Sequence, residues 1–313
     1  MRTLTRALVV GVLLGLAGTA WAIPLVYEEG PLTGTPFVVG DITLKMTNYG
    51  ASTLYPVIGP PGTSIGYSGP PGAAVGVGVA AVDGIGAPPP AGALSLGPYP
   101  GLEDAWGIGK VTRIQDASGD AIWTPAGKGA ELTVYFWGLQ DFYVEQIDSD
   151  NQRYDGAGMH FDLYTEPLPS PTVFVPSGGT AARTAANTYP TVTDGTLVLS
   201  GVSVPGFINA PGIAGGLATE FEAQFNTTTV TGDGGLYVSL IGGQDRAQFD
   251  TDGFVSPFGL GTADLRVQFD TAPATIADWL MTADDPVKGH VPEPATMTML
   301  GLGALVLMRR KRK

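Results

Sequence analysis

Cysteine is absent from the 313 residues. Disulfide frameworks, thiolate metal sites and cysteine nucleophiles are therefore excluded, and any folded part must stand on its apolar core. Basic residues are scarce as well. Of the 16 Lys and Arg, two lie before residue 23 and five are the last residues, so residues 23–290 hold nine against 28 acids, a balance of −19. So acidic a segment is a poor partner for nucleic acid or anionic lipid, and suits an extracellular protein or one that meets cations. Strict glycine triplets are missing too, which excludes a collagen-like rod.

Hydrophobic runs occur only at the two ends, and both are short. Near the start, Arg2 and Arg6 precede an apolar stretch over 7–20 and the small-x-small pattern Ala20, Trp21, Ala22. That order is a secretory signal peptide over 1–22, cut after Ala22. At the other end Pro292, Glu293 and Pro294 precede an apolar stretch over 295–308 and the cations Arg309, Arg310, Lys311, Arg312 and Lys313. Fourteen helical residues cover about 21 Å of a hydrocarbon core of about 30 Å, so the predicted transmembrane helix is a weakly held one. The basic cluster keeps the tail in the cytoplasm and places 23–290 outside.

The sequence VPEPATMTMLGLGALVLMRRKRK resembles the PEP-CTERM sorting signal, over residues 291–313. The resemblance implies a Gram-negative source, export through the Sec translocon, and recognition by an exosortase with processing near Pro292, Glu293 and Pro294. It also implies a transient inner-membrane intermediate, followed by the cell envelope or a biofilm matrix rich in exopolysaccharide. Blocks such as GLEDAWGIGKVTRIQD and TYPTVTDGTLVLSG resemble the ectodomains of such proteins and carry no known active site with them.

Between the ends the chain reads as one exported domain over 23–290. Residues 56–101 hold ten Pro and twelve Gly, a density that predicts a long loop region with at most a short strand over 75–82. Alternating apolar residues predict strands over 37–46, 110–115, 121–123, 131–137, 142–147, 159–164, 172–175, 196–202, 221–225, 236–241 and 264–269, and a helical fragment over 276–281. Asp116 to Asp120 is a hairpin signal. Short strands separated by Gly, Pro, Asn and Asp predict an all-β fold, an antiparallel β-sandwich or jelly-roll-like barrel.

Candidate chemistry is sparse. His160 and Asp162 share one face of a predicted strand, but no GxSxG elbow supplies a serine nucleophile. His290 falls in a predicted linker. Asp148, Asp150 and Asp155 are spaced to converge on Ca²⁺ from a loop, and Asp250 and Asp252 form a shorter candidate. Asx turns that bond their own backbone are the alternative for both. Trp106, Trp123, Trp137, Tyr143 and Tyr154 could stack on sugars or fill a core. The sequence thus points to an exported, noncatalytic structural or adhesive protein, possible Ca²⁺ aside without cofactor. A secreted polysaccharide hydrolase using loop carboxylates is the alternative.

Overall fold

The computed structural model describes residues 40–52, 59–66, 103–168, 174–205, 207, 219–284 and 286–291. The expected signal peptide over 1–22, most of the 56–101 region and everything after Val291 lie outside them. Within these limits the regular structure is almost entirely strand: β1 (Gly40–Ser52), β2 (Ser64–Gly66), β3 (Ala105–Gln115), β4 (Ala121–Trp123), β5 (Ala130–Gln146), β6 (Asn151–Ala157), β7 (His160–Pro167), β8 (Thr196–Ser203), β9 (Phe221–Asn226), β10 (Thr231–Gly242), β11 (Phe254–Val255), β12 (Thr262–Ala263), β13 (Leu265–Pro273), β14 (Met281–Ala283) and β15 (Pro286–Val291). Two four-residue helices, α1 (Pro125–Lys128) and α2 (Arg246–Phe249), sit in connections.

Thirteen strands form one antiparallel sheet, and that sheet returns to its own first strand. The circuit runs β1, β3, β5, β6, β9, β10, β13, β15 and back to β1. Two long strands carry two neighbours each on one side. The first half of β5 pairs with β7 and its second half with β6, while β10 pairs with β9 and then β8. The all-β antiparallel fold expected from the sequence is present, and of the two arrangements expected for it the pairings give a closed barrel rather than two separate sheets. Closure removes the sheet edges, which otherwise expose unpaired backbone groups.

An eight-position barrel has an interior just wide enough for side chains. Here Ile42, Leu44, Val111, Val134, Phe161, Leu199, Leu240 and Val287 fill it. A second cluster lies on the outer face of β1, β3 and β5, where Trp106, Ile108 and Tyr135 are covered by Tyr189, Val192 and Trp279. The cover is a strap over 174–195 that is pinned to the barrel. Thr133 Oγ1 donates to Val192 O at 2.7 Å, Tyr135 Oη to Ala186 O at 3.0 Å, and Trp279 Nε1 to Pro176 O at 2.7 Å.

Several local expectations change. Residues 131–137 and 142–147 are one strand, continuous through a bulge at Gly138, which has φ +86°. The 276–281 segment is a turn followed by β14, not a helix. Phe174 and Val175 are not in a strand; their N–H groups donate to Glu131 Oε2 and Thr191 Oγ1. The strand expected over 75–82 lies outside the described residues, and in the same Pro/Gly-rich region β2 pairs with β5. The 116–120 hairpin is present, with Asp116 Oδ1 accepting from the N–H groups of Ser118 and Asp120.

The registers give the barrel two distinct ends. At one, β1 begins and β15 finishes, with Gly40 opposite Val291, and the β10–β13 connection folds over it. At the other lie the tight turns 147–150 and 227–230, where Thr227 N donates to Asp150 O at 2.8 Å.

Candidate functional site

The strand leading to the sorting signal is part of the barrel wall. β15 lies between β1 and β13, and His290 Nδ1 faces Asp41 Oδ1 at 3.2 Å. His290 is thus a strand residue rather than a linker residue. Pro292, Glu293 and Pro294 follow Val291 directly; they, the 295–308 segment, the cluster Arg309 to Lys313, and Ala20 and Ala22 lie outside the described residues. No helix among the described residues is long and apolar enough to cross a membrane.

The acidic loop over 148–156 separates on folding. Asp148 is in the turn, where its carboxylate accepts from Asp150 N, Asn151 N and Asn151 Nδ2, and these bonds hold its pKa below the usual value. Asp155 sits in β6, buried, with Arg153 Nη2 at 3.6 Å. The Asx turn therefore describes this segment better than a converging ligand set. Asp250 and Asp252 do meet a third acid that sequence spacing does not single out, Asp264, with one oxygen of each within 4.8 Å of the others. Asp264 is buried and already committed: it accepts from Leu240 N at 2.8 Å, Thr251 N at 2.7 Å and Asp252 N at 2.9 Å. Its evident work is to fold the β10–β13 connection.

His160 and Asp162 do share a face of β7, around Trp137. The His160 ring stacks on the indole at 4.2 Å, and Trp137 Nε1 donates to Asp162 Oδ2 at 2.9 Å. Burial lowers the His160 pKa, so the ring is held as neutral aromatic packing. Trp106, Trp123 and Tyr154 are buried core residues; Trp137 and Tyr143 are half-buried.

Two acids have pKa values raised to about 7. Burial is the main cause for both Asp104 and Glu220, with the charge of Glu103 adding at Asp104. Asp141, whose N–H donates to Asp104 Oδ2 at 2.8 Å, is also held above the usual range by burial and then by the charges of Asp104 and Asp155. Asp141 lies on the wall of a mainly apolar cavity of about 110 Å³ inside the barrel, left where Gly50, Ala105 and Gly107 put little side chain inward. A cavity near the size that admits benzene has no room for a sugar chain.

The outer wall of β6, β9, β10 and β13 offers a different surface. Alternation turns Leu236 and Val238 inward and Tyr237 outward, and does the same for Glu222, Gln224, Arg266 and Gln268. Gly235 lies between Glu222 and Gln268 in register, and its missing side chain leaves the floor of a polar groove of about 300 Å³. Phe207 stacks on Tyr237 at 4.4 Å, and the Arg266 guanidinium lies 5.7 Å from the same ring. Carboxylates, amides, guanidinium groups and an aromatic face thus converge on one groove. The sequence signal was visible as polar residues at alternate positions of three strands, but nothing in it said that those strands adjoin.

These features define a cysteine-free antiparallel barrel whose last described strand leads straight into the terminal segment. Over residues 290–313 that segment matches the family model of the PEP-CTERM protein-sorting motif. The chain carries this sorting motif, and with it is an exosortase-targeted, exported protein with a membrane-anchored processing intermediate. No curated protein and no solved structure matches the chain.

Proposed function

We propose that the processed barrel is a noncatalytic polysaccharide-binding component of the cell envelope or exopolysaccharide matrix. The observation that carries this reading is the outer groove, which pairs an aromatic platform with donors and acceptors on a rigid strand lattice. Its volume of about 300 Å³ is that of a small ligand cleft, and mixed charges suit hydroxyl-rich partners better than a single strong field would. The raised-pKa acids do not favour the hydrolase alternative, because Asp104 and Asp141 are only 2% and 4% exposed and face no cleft a glycan could enter. Weak contacts repeated over many copies would give the matrix its cohesion.

Co-sedimentation with bacterial exopolysaccharides tests the groove. Wild type should bind saturably without releasing reducing ends, and Tyr237→Ala with Arg266→Ala should weaken binding at least about tenfold, the loss of a stacked ring and a charged donor together. Saturable binding that survives both substitutions would dismiss the groove, and turnover would favour the hydrolase.

Sorting has its own test. Alanine at Pro292, Glu293 and Pro294 should leave full-length protein in the membrane fraction, since these residues are the part of the motif at which processing is proposed. Equal release of variant and wild type would contradict processing at this site.

A further inference from the structure

The connection between β10 and β13 ends in the hairpin of β11 and β12, and its stem is fixed to the barrel. Phe254 meets the Tyr237 ring edge-on at 5.5 Å, Ser239 Oγ donates to Thr262 O at 3.1 Å, and Asp264 holds the preceding backbone. Its tip is ordered too. Ser256 N donates to Gly261 O at 2.9 Å, Gly259 N to Ser256 O at 3.1 Å and Phe258 N to Ser256 Oγ at 3.2 Å. What this ordered turn presents to solvent is apolar: Val255 is 73% exposed, Phe258 45% and Leu260 46%. Ile147, Leu168, Val175, Leu197 and Ile241 are the other large apolar residues exposed among the described residues, at 36–39% each. None of them matches the tip.

Position decides what the tip meets. Gly253, at the hairpin's base, lies against His290: a Cβ added there would sit 3.0 Å from His290 Cβ. From Val291 to Ala295, where the apolar segment begins, is four residues, and a chain extends at most about 3.6 Å per residue, or roughly 14 Å in all. Five residues from Gly253 to Phe258 give the hairpin a reach of up to about 18 Å by the same measure. So while the 295–308 segment is in a bilayer, the barrel end carrying the tip is held close to that bilayer.

We infer that the β11–β12 tip inserts Val255, Phe258 and Leu260 into the surface of the membrane that holds the C-terminal segment. The contact is a second foot beside the tail, and it sets the tilt of the barrel while the sorting signal is intact. Asp250 and Asp252 at the hairpin's base remain in water, so the insertion is shallow and owes nothing to anionic headgroups. A single apolar foot binds membranes reversibly. Once the tail is cut, the tip alone does not retain the barrel.

Because the chain has no cysteine, single labels are clean. Full-length Phe258→Cys, Ser149→Cys at the opposite barrel end and Leu300→Cys in the apolar segment would each carry a polarity-sensitive dye, in phosphatidylcholine vesicles with and without doxyl-labelled lipid. Quenching of roughly twofold or more is expected at 258 and 300 and none at 149, and Val255→Ser with Leu260→Ser should reduce the quenching at 258. Solvent-like emission at 258 beside a quenched 300 overturns the inference. So does shielding at 258 that depends on protein concentration and not on lipid, which would mean that a second copy covers the tip. An unquenched 300 would show that the tail never entered the bilayer, and would take the membrane-anchored intermediate down with the inference.

Discussion

Arg183→Met is expected to destabilise the barrel by about 3–5 kcal/mol, the cost of leaving a buried charge without its counter-ion. Arg183 comes from the strap and Glu103 from the residues just before β3, and their side chains are 1% and 0% exposed. Arg183 Nη2 donates to Glu103 Oε1 at 3.2 Å, and its other terminal nitrogen pairs with Oε2. The guanidinium also lies 4.4 Å from the centre of the Trp106 ring, and Glu103 Oε1 accepts from the N–H of the bulge residue Gly138. One ion pair thus fastens the strap, the outer aromatic cluster and the β5 bulge. Methionine keeps much of the volume but strands the carboxylate. The double variant Arg183→Met with Glu103→Leu should recover a large part of the loss, because a buried pair is worth little against well-packed apolar residues even though breaking it is expensive. Urea denaturation of the three proteins checks this. A loss under about 1 kcal/mol in the single variant would mean that water reaches the pair.

The barrel should also be more stable at pH 5 than at pH 8, the reverse of what paired surface carboxylates produce. Asp104 and Glu220 have folded pKa values of about 7, above ordinary values of 3.8 and 4.5. Between those limits the folded state binds more protons than the unfolded one, so stability falls as pH rises. The contribution is complete below about pH 4 and is lost as pH passes through 7. At about 1.4 kcal/mol per pH unit of separation, ionisation at pH 8 costs about 4 kcal/mol at Asp104 and about 3 kcal/mol at Glu220. Glu220 is the cleaner test. Its Oε2 accepts from Ser203 Oγ at 2.6 Å and Gly158 N at 2.9 Å, bonds that an amide oxygen can still accept. Glu220→Gln should therefore be more stable than wild type at pH 8, by up to about 3 kcal/mol, and should lose less between pH 5 and 8. The net acidity of the chain pushes every variant the same way, so only the difference between Glu220→Gln and wild type counts. Parallel urea midpoints across that range would refute buried ionisation at this residue.

Strand positions were legible where one face is buried and the other wet. Residues 41–46 within β1 show this, as does 221–225 within β9, because period-2 alternation is written along a single strand. Reading failed where burial is two-sided or the pattern breaks. In β6 the run Asn151, Gln152, Arg153, Tyr154, Asp155 looks like a polar loop. Gln152 and Asp155 are nevertheless fully buried, Gln152 through bonds of its side chain to Gln146 Oε1 and Tyr154 Oη. Polar residues satisfied by one another mimic a surface in the sequence. Spacing also says little about the acids: Asp148 bonds its own turn, and the residue that joins Asp250 and Asp252, Asp264, lies on the far side of the β11–β12 hairpin.

Export by way of the sorting motif was legible in the sequence alone. A sorting signal is contiguous and is read in an extended or membrane-bound state, so its information is local, and the motif at 290–313 needs no fold to be recognised. The absence of cysteine and the acidic balance likewise fixed what kind of chemistry residues 23–290 can host. Only the tertiary structure decided that the strands close into a barrel, that Arg183 reaches a carboxylate 80 residues away, that β6, β9, β10 and β13 build one polar groove, and that an apolar hairpin stands beside the exit of the sorting signal. Alternation specifies which face of a strand is buried, but not which strand lies next to it. Pairing partners are chosen by long-range packing, where the entropy of closing large loops is recovered only when the whole circuit forms.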